Sequence, residues 1–182
     1  MKNNFELISA TEKDIQVIVD INNSRTNRED KDGFILDKYS YDETLAKLQK
    51  GIGLYLINNT ISNETVGFLE LSDKVDKRIP DQLEWEDEEV KEKFVSLKPK
   101  YIDRICLLNK DSAKGAGSFT YRKMFQLFPD KNFYAFIVTK PIENKASVRF
   151  HLKNGFKHIA TFNKDEYAGF RNYQSQIFFY QA

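Results

Sequence analysis

The chain has 182 residues, of which 41% are hydrophobic and 14% aromatic, and its 28 basic and 27 acidic side chains leave a net charge of +1. That length fits one domain with a real core, and the composition excludes a disordered chain. The charge balance gives nucleic acid or an anionic membrane no general attraction, and no apolar run approaches the ~20 residues of a membrane-spanning helix.

In chain order, Met1-Lys-Asn-Asn-Phe-Glu lacks the apolar segment of a secretory leader, so the cytoplasm is the expected compartment. Alternation around Phe5 and Leu7 predicts a short strand. Thr11-Glu-Lys-Asp14 is a capping box, and Ile15, Ile18, Val19 and Asn22 follow it on one helical face. Asn23 to Tyr39 is a polar connection whose Phe34, Ile35 and Leu36 are expected to fold back on the core. A second capping box, Ser40-Tyr-Asp-Glu43, opens a helix with Leu45 and Leu48 inward and Gly51 at its end. Leu54–Ile57 and Val66–Leu71 predict two strands of a loosely turned hairpin.

Ser72 to Lys100 is rich in charge and punctuated by Pro80 and Pro99. Leu83, Val90, Phe94 and Leu97 predict a mostly solvated helical insertion starting near Pro80. Glu84, Glu86, Asp87, Glu88 and Glu89 would give it an acidic wall, and a lid is the functional alternative to a merely solvated face. Ile102 to Leu108 is a short apolar strand containing the single cysteine, Cys106, read as a buried structural thiol. Asn109 to Gly117 is a polar loop with two glycines, and helical spacing begins at Ser118: Thr120, Met124 and Leu127, then Tyr121, Phe125 and Phe128.

A glycine-bearing loop feeding a helix start gathers backbone N–H groups and partial positive charge, so it can hold a phosphate or pyrophosphate. Lys110 and Lys114 add charge there. The Walker pattern and the dinucleotide fingerprint both fail, the latter because Thr120 stands where a third glycine or alanine belongs.

Phe133–Thr139 predicts a buried strand ended by Pro141. A helix over 143–154 closes at Gly155, and strands are expected over Phe156–Phe162 and Tyr173–Tyr180 with a loop, Asn163–Phe170, between them. Asn144, Ser147 and His151, spaced by three and four, make a polar stripe on the helix. With His151 and His158 the only histidines, and no cysteine or histidine cluster, no metal site is expected.

Two stretches resemble the GNAT superfamily of acyl-CoA-dependent N-acyltransferases. Ser112-Ala-Lys-Gly-Ala-Gly117 is similar to the family's Gln/Arg-x-x-Gly-x-Gly/Ala turn, with Ser112 in place of the usual Gln/Arg and Asn109 where many members have proline. Asn144-Lys-Ala-Ser-Val-Arg-Phe-His-Leu-Lys-Asn-Gly-Phe156 is similar to its Asn-helix motif, with His151 at the tyrosine position. The order of elements is also GNAT-like outside the insertion at about 72–100.

The resemblance implies an α/β fold. Its mixed sheet would have about seven strands, with a splayed parallel pair and helices on both faces, in a single domain over 1–182. It implies that coenzyme A or acetyl-CoA is the cosubstrate, with the strands around 102–108 and 133–139 receiving its arm. Ile105 and Leu107 would pair with the arm through the backbone. Lys114, Gly115, Ala116, Gly117, Ser118 and Phe119 would hold the pyrophosphate, and Asn144, Ser147 and His151 would meet the cofactor from the helix. His151, at an unperturbed pKa of ~6.5, would be the acid at the departing thiolate. Asp103 would be the base on the amine, with Glu70 as the fallback because the strand lacks the glutamate many members carry. Tyr173 would line the amine pocket, and His158 is read as structural.

The implied function is an acetyl-CoA-dependent N-acetyltransferase acting on a small-molecule or peptide amine. The alternative is a CoA-binding sensor or scaffold without turnover. The Asn23–Tyr39 and Asn163–Phe170 segments would shape the acceptor site. Arg25, Arg28 and Arg171 suit an anionic acceptor, whereas the acidic insertion suits a polyamine or lysine-rich peptide. No nucleic acid or membrane partner is expected, and a homodimer is left open.

Overall fold

The computed structural model describes residues 4–26, 33–73 and 80–182; Arg28 lies outside them. The strands are β1 (Phe5–Ser9), β2 (Gly53–Asn59), β3 (Glu64–Ser72), β4 (Leu83–Trp85), β5 (Lys100–Leu107), β6 (Phe133–Lys140), β7 (Lys157–Tyr167) and β8 (Phe170–Tyr180). The helices are α1 (Ile15–Ser24), α2 (Tyr41–Gln49), α3 (Glu88–Leu97), α4 (Ala116–Leu127) and α5 (Lys145–Lys153). The strands form one mixed eight-stranded sheet in the order β1-β2-β3-β5-β6-β8-β7-β4. Two compact units share the chain, the first made of Met1–Leu71 and Asp103–Phe128, the second of Ser72–Ile102 and Pro129–Ala182.

In the first unit, local sequence sets the helix starts. The Asp14 carboxylate accepts a hydrogen bond from the Thr11 N–H at 2.8 Å, and a short 3-10 turn leads into α1. Ser40 and Glu43 cap each other at the start of α2, and Gly51 follows its end at φ +77°. β1, β2 and β3 pair antiparallel, with a bulge at Ile57/Asn58. Consecutive strand residues point to opposite faces. Leu56 therefore packs with Ile15, Ile18, Phe68 and Cys106, while Ile57 packs with Val66, Ala113 and Ala116. That places α1 on one face and the start of α4 on the other. Phe34 is buried and Ile35 packs on the core, so the expected fold-back of this segment holds.

In the second unit, β5 begins a parallel ladder with β6. Among the described residues that ladder covers two pairs, Lys100↔Phe133 and Tyr101↔Tyr134. β6 then pairs antiparallel with β8, and β8 with β7. The expected loop over 163–170 is strand instead. β7 runs on to Tyr167, and Ala168 and Gly169, at φ +51° and +76°, make a two-residue turn into β8. Positive φ at both turn positions matches the twist of a hairpin, so the pairing continues to Tyr167↔Phe170.

The insertion also differs from the expected solvated helix. Leu83–Trp85 is a strand, β4, paired antiparallel with β7, and it supplies the eighth strand. The helix starts only at Glu88, where the Asp87 carboxylate accepts from the Val90 N–H. The shared spacing of Leu83 with Val90 and Phe94 is therefore coincidental. Phe94 is buried against Trp85, Tyr134 and Phe179, with ring centroids 5.3, 5.1 and 5.7 Å away. Two of the acidic residues have local partners: Glu86 meets His158 Nδ1 at 2.6 Å and Glu88 pairs with Lys91 at 2.7 Å.

Candidate functional site

In the first unit the site is built where β3 and β5 run together and β5 turns into α4. Gly67 of β3 lets the strands approach: a Cβ there would stand 2.5 Å from the Cys106 carbonyl oxygen and 2.6 Å from Leu107 Cδ2. The Leu108 N–H donates to the Val66 carbonyl at 2.8 Å, and the chain then enters the polar loop. Asn59 of β2 fixes that loop, because its Nδ2 donates to the Ser112 carbonyl at 2.7 Å while its Oδ1 accepts from the Ile61 N–H at 2.9 Å. A 3-10 turn over Asp111–Ala113 brings the chain to Gly115, which caps α4 at φ +84°.

Helix α4 begins at Ala116, two residues before the expected start. The left-handed conformation of Gly115 reverses the chain and begins the helical turn one step after it. No side chain caps this end. Two of the amides expected to hold a pyrophosphate are engaged within the protein: Lys114 N–H donates to Asp111 O at 3.1 Å and Phe119 N–H to Gly115 O at 3.0 Å. The uncapped first-turn amides are those of Ala116, Gly117 and Ser118. The buried Ser112 Oγ in the same loop has no hydrogen-bond partner among the described residues. Lys114 Nζ lies 2.8 Å from Asp111 Oδ1, both fully in solvent reach, and Lys110 Nζ lies 3.8 Å from Glu64. An anion with several oxygens fits this loop: uncapped donors, a helix dipole, and two exposed lysines beside it.

The same unit holds a cluster of charged groups on β3, β5 and α2. Glu70 of β3 is buried, and Asp103 of β5 stands beside it. Lys47 of α2 puts its Nζ 2.8 and 3.1 Å from the two Glu70 oxygens and 3.5 Å from Asp103 Oδ2. Tyr39 OH donates to Glu70 Oε2 and accepts from Lys47 Nζ at 2.5 Å. Burial raises the Glu70 pKa first, the Asp103 charge and its hydrogen bond raise it further, and Lys47 opposes both. Burial and the Glu70 charge likewise raise the Tyr39 hydroxyl, so it stays protonated and donates. Asp103 and its expected fallback, Glu70, are thus neighbours in one group.

Tyr39 and Lys47 escaped the sequence reading. Tyr39 directly precedes the Ser40 cap, the position from which an apolar residue staples a helix start, so its inward placement was readable. Its partner was not, because Lys47 looks like any lysine of an exposed helix turn. Cys106 is a buried free thiol near the Ile21 carbonyl, at 3.7 Å, and burial pushes its pKa up to about 12, which keeps it inert at neutral pH. Arg25 is buried and donates to the Gly33 carbonyl at 2.9 Å, so it has a task inside the fold.

In the second unit, α5 carries the expected polar stripe. Asn144 caps the helix, its side-chain oxygen accepting from the Ser147 N–H at 3.2 Å. His151 is buried among Phe150, Phe156 and Phe178, with centroids 5.5, 5.1 and 6.1 Å away. Its Nδ1 lies 2.8 Å from the Ser147 carbonyl oxygen, which can only accept, so the ring proton sits on Nδ1. Burial drives the pKa down to about 4 against a smaller upward pull from that bond. The expectation of an acid with an ordinary pKa therefore changes: at neutral pH this ring is uncharged and Nε2 carries a lone pair. His158 bridges Glu86 and the Ala160 carbonyl, at 2.6 and 2.9 Å, which fits its reading as structural. Tyr173 is buried, its ring tilted against that of Tyr167 with centroids 4.7 Å apart.

No protein-family profile matches the chain, and no curated protein matches it in sequence. Solved structures do match. A spermidine N-acetyltransferase SpeG variant from Vibrio cholerae superposes with TM-score 0.65 at 13% identity, covering 98% of this chain and 94% of its own. An N-acetyltransferase from Staphylococcus aureus Mu50 gives 0.66 at 16% identity, covering 98% and 99%. The yncA protein of Salmonella typhimurium, assigned as an acetyltransferase and solved with acetyl-CoA, gives 0.65 at 15% identity, covering 98% and 94%. With nearly full coverage on both sides, the chain has the fold of the GNAT-type N-acetyltransferases.

Proposed function

We propose that the protein, working as a single domain over residues 1–182, is an acetyl-CoA-dependent N-acetyltransferase that moves an acetyl group to a primary amine. The observation that carries this reading is the uncapped start of α4 after Gly115, in a chain whose fold matches N-acetyltransferases along nearly its whole length. Ala116, Gly117 and Ser118 hold the diphosphate through their amides, with Gly115 setting the turn and Lys114 adding charge. Ile105 and Leu107 meet the arm along β5. In the second unit, Asn144, Ser147 and His151 are the candidate cofactor contacts. Acetyl-CoA, when bound, supplies an activated acyl group, so no nucleophile of the protein is needed.

The chain's own task is proton handling. The Asp103–Glu70 pair takes the proton that the amine must lose, since a carboxyl group raised by burial and a neighbouring charge moves toward neutral pH, where a general base works best. His151 holds a proton on Nδ1, directed at the Ser147 carbonyl of its own helix, and burial keeps the ring uncharged at neutral pH.

Two measurements test this. Thermal shift with CoA, acetyl-CoA, ATP and NAD should show stabilisation by the first two; stabilisation by ATP or NAD alone rejects the reading. Free-thiol release from acetyl-CoA should then appear with members of an amine panel that includes spermidine. Asp103→Asn should lower the rate about 10²- to 10⁴-fold while keeping the CoA-induced shift. CoA binding without turnover across the panel would favour the sensor or scaffold instead.

A further inference from the structure

Two carboxyl groups on neighbouring strands, one of them buried, cannot both carry full charge unless a cation meets them. Among the described residues, two cations stand near the pair. Arg104, next to Asp103 on β5, is directed elsewhere: its Nη1 donates to Asn22 Oδ1 at 2.7 Å and to the Asp37 carbonyl at 3.0 Å, and its Nε is 4.0 Å from Asp103 Oδ2. Its guanidinium carbon also lies 4.0 Å from the centre of the Tyr39 ring. Lys47 alone of the two reaches both carboxyl groups within 3.5 Å. Its ammonium packs 4.1 Å from the centre of that same Tyr39 ring.

The seat is built rather than incidental. Asn23 clamps the Tyr39 backbone from both sides, its Oδ1 accepting from Tyr39 N–H at 2.8 Å and its Nδ2 donating to Tyr39 O at 2.9 Å. Asn22 meets Asn23 and the Asp37 carbonyl at 3.1 and 3.0 Å, tying α1 to the segment before α2. Among the described residues, Tyr39 before α2, Lys47 on α2, and Arg104 beside Asp103 on β5 face the pair.

We infer that Lys47 is a positioning residue for the base: its ammonium bridges Glu70 and Asp103 and sets the charge that the two carboxyl groups share. The inference deepens the transferase reading and rests on it for its link to catalysis. With Lys47 present, burial and mutual repulsion are partly cancelled and the pair gives up its proton at lower pH than it otherwise would. Without it, the pair keeps that proton to higher pH and can accept one from an amine only there. Tyr39 OH relays the effect, accepting from Lys47 and donating to Glu70.

The test is a carboxyl-carbon NMR titration of the full chain with Lys47 intact, as Lys47→Met and as Lys47→Arg. In Lys47→Met the Glu70 titration should move up by about one pH unit or more; Lys47→Arg, which keeps the charge, should stay much closer to the parent. A Glu70 titration unchanged in Lys47→Met overturns the inference. The acid limb of kcat/KM should move up by the same amount in Lys47→Met, so that activity lost at pH 7 returns at higher pH. A limb that stays while the titration moves overturns the link to catalysis. If the parent protein acetylates no amine, the transferase reading fails by itself, and the titration still decides whether Lys47 sets the pair.

Discussion

His151 turns an aromatic cage into a pH response. An unfolded chain would protonate this histidine near pH 6.5, whereas the folded ring, 3% exposed, resists protonation down to about 4. A depressed folded pKa gives stability that is whole above the unfolded value and is lost as pH falls through the folded one. We expect a loss on the order of 3 kcal/mol between about pH 6.5 and 4. Glu70 acts in the opposite sense, because a raised carboxyl pKa favours folding less as pH rises. The difference between the parent and His151→Phe isolates the histidine: urea midpoints at pH 7 and 5 should diverge in the parent far more than in the variant, and equal slopes would refute the assignment. At this scale the sequence was only partly legible. Spacing put Asn144, Ser147 and His151 on one face, but a pKa depends on what the side chain is buried against, and Phe156 and Phe178 lie on other elements.

β3 and β5 meet at Gly67, and the element scale is where that contact can be tried. Gly67→Ala would drive a Cβ into the Cys106 carbonyl, a backbone atom that cannot swing away as the Leu107 side-chain end beside it could. We expect a loss of about 1–3 kcal/mol in urea unfolding. Gly115→Ala provides the contrast. The nearest atom, Phe5 Cε2, is 3.9 Å from the added Cβ, so the cost there is conformational, roughly 1–2 kcal/mol for a side chain held at positive φ. That variant should also weaken CoA binding in calorimetry, whereas a packing defect at Gly67 alone need not. Capping boxes and turn residues made α1, α2 and the α4 entry readable, since those signals are local. β4 was not readable: three residues pair with β7 far along the chain, and a short run with apolar ends reads equally as a helix turn. The hairpin tip at Ala168–Gly169 was missed because the alternation in Asn163–Tyr167 is too polar to advertise a strand.

For the whole molecule, the prediction is linkage. A ligand held only by the folded state at a hundred times its Kd adds about 2.7 kcal/mol. At about 2–4 °C per kcal/mol for a chain of this size, saturating CoA should raise Tm by about 5–10 °C. The whole was more legible than its parts, because two motifs in the right order fixed the fold, and matches of TM-score 0.65 to 0.66 to the structures named above agree with it at identities of 13 to 16%. The boundaries between the two compact units fall after Leu71, after Ile102 and after Phe128. Neither unit is therefore one uninterrupted stretch of polypeptide. A ribosome finishes the second only when the last residues emerge, and no single cut in the gene can release either unit intact. Because the segments of the two units alternate along the chain, isolating either unit would require splicing its two segments together rather than trimming the ends.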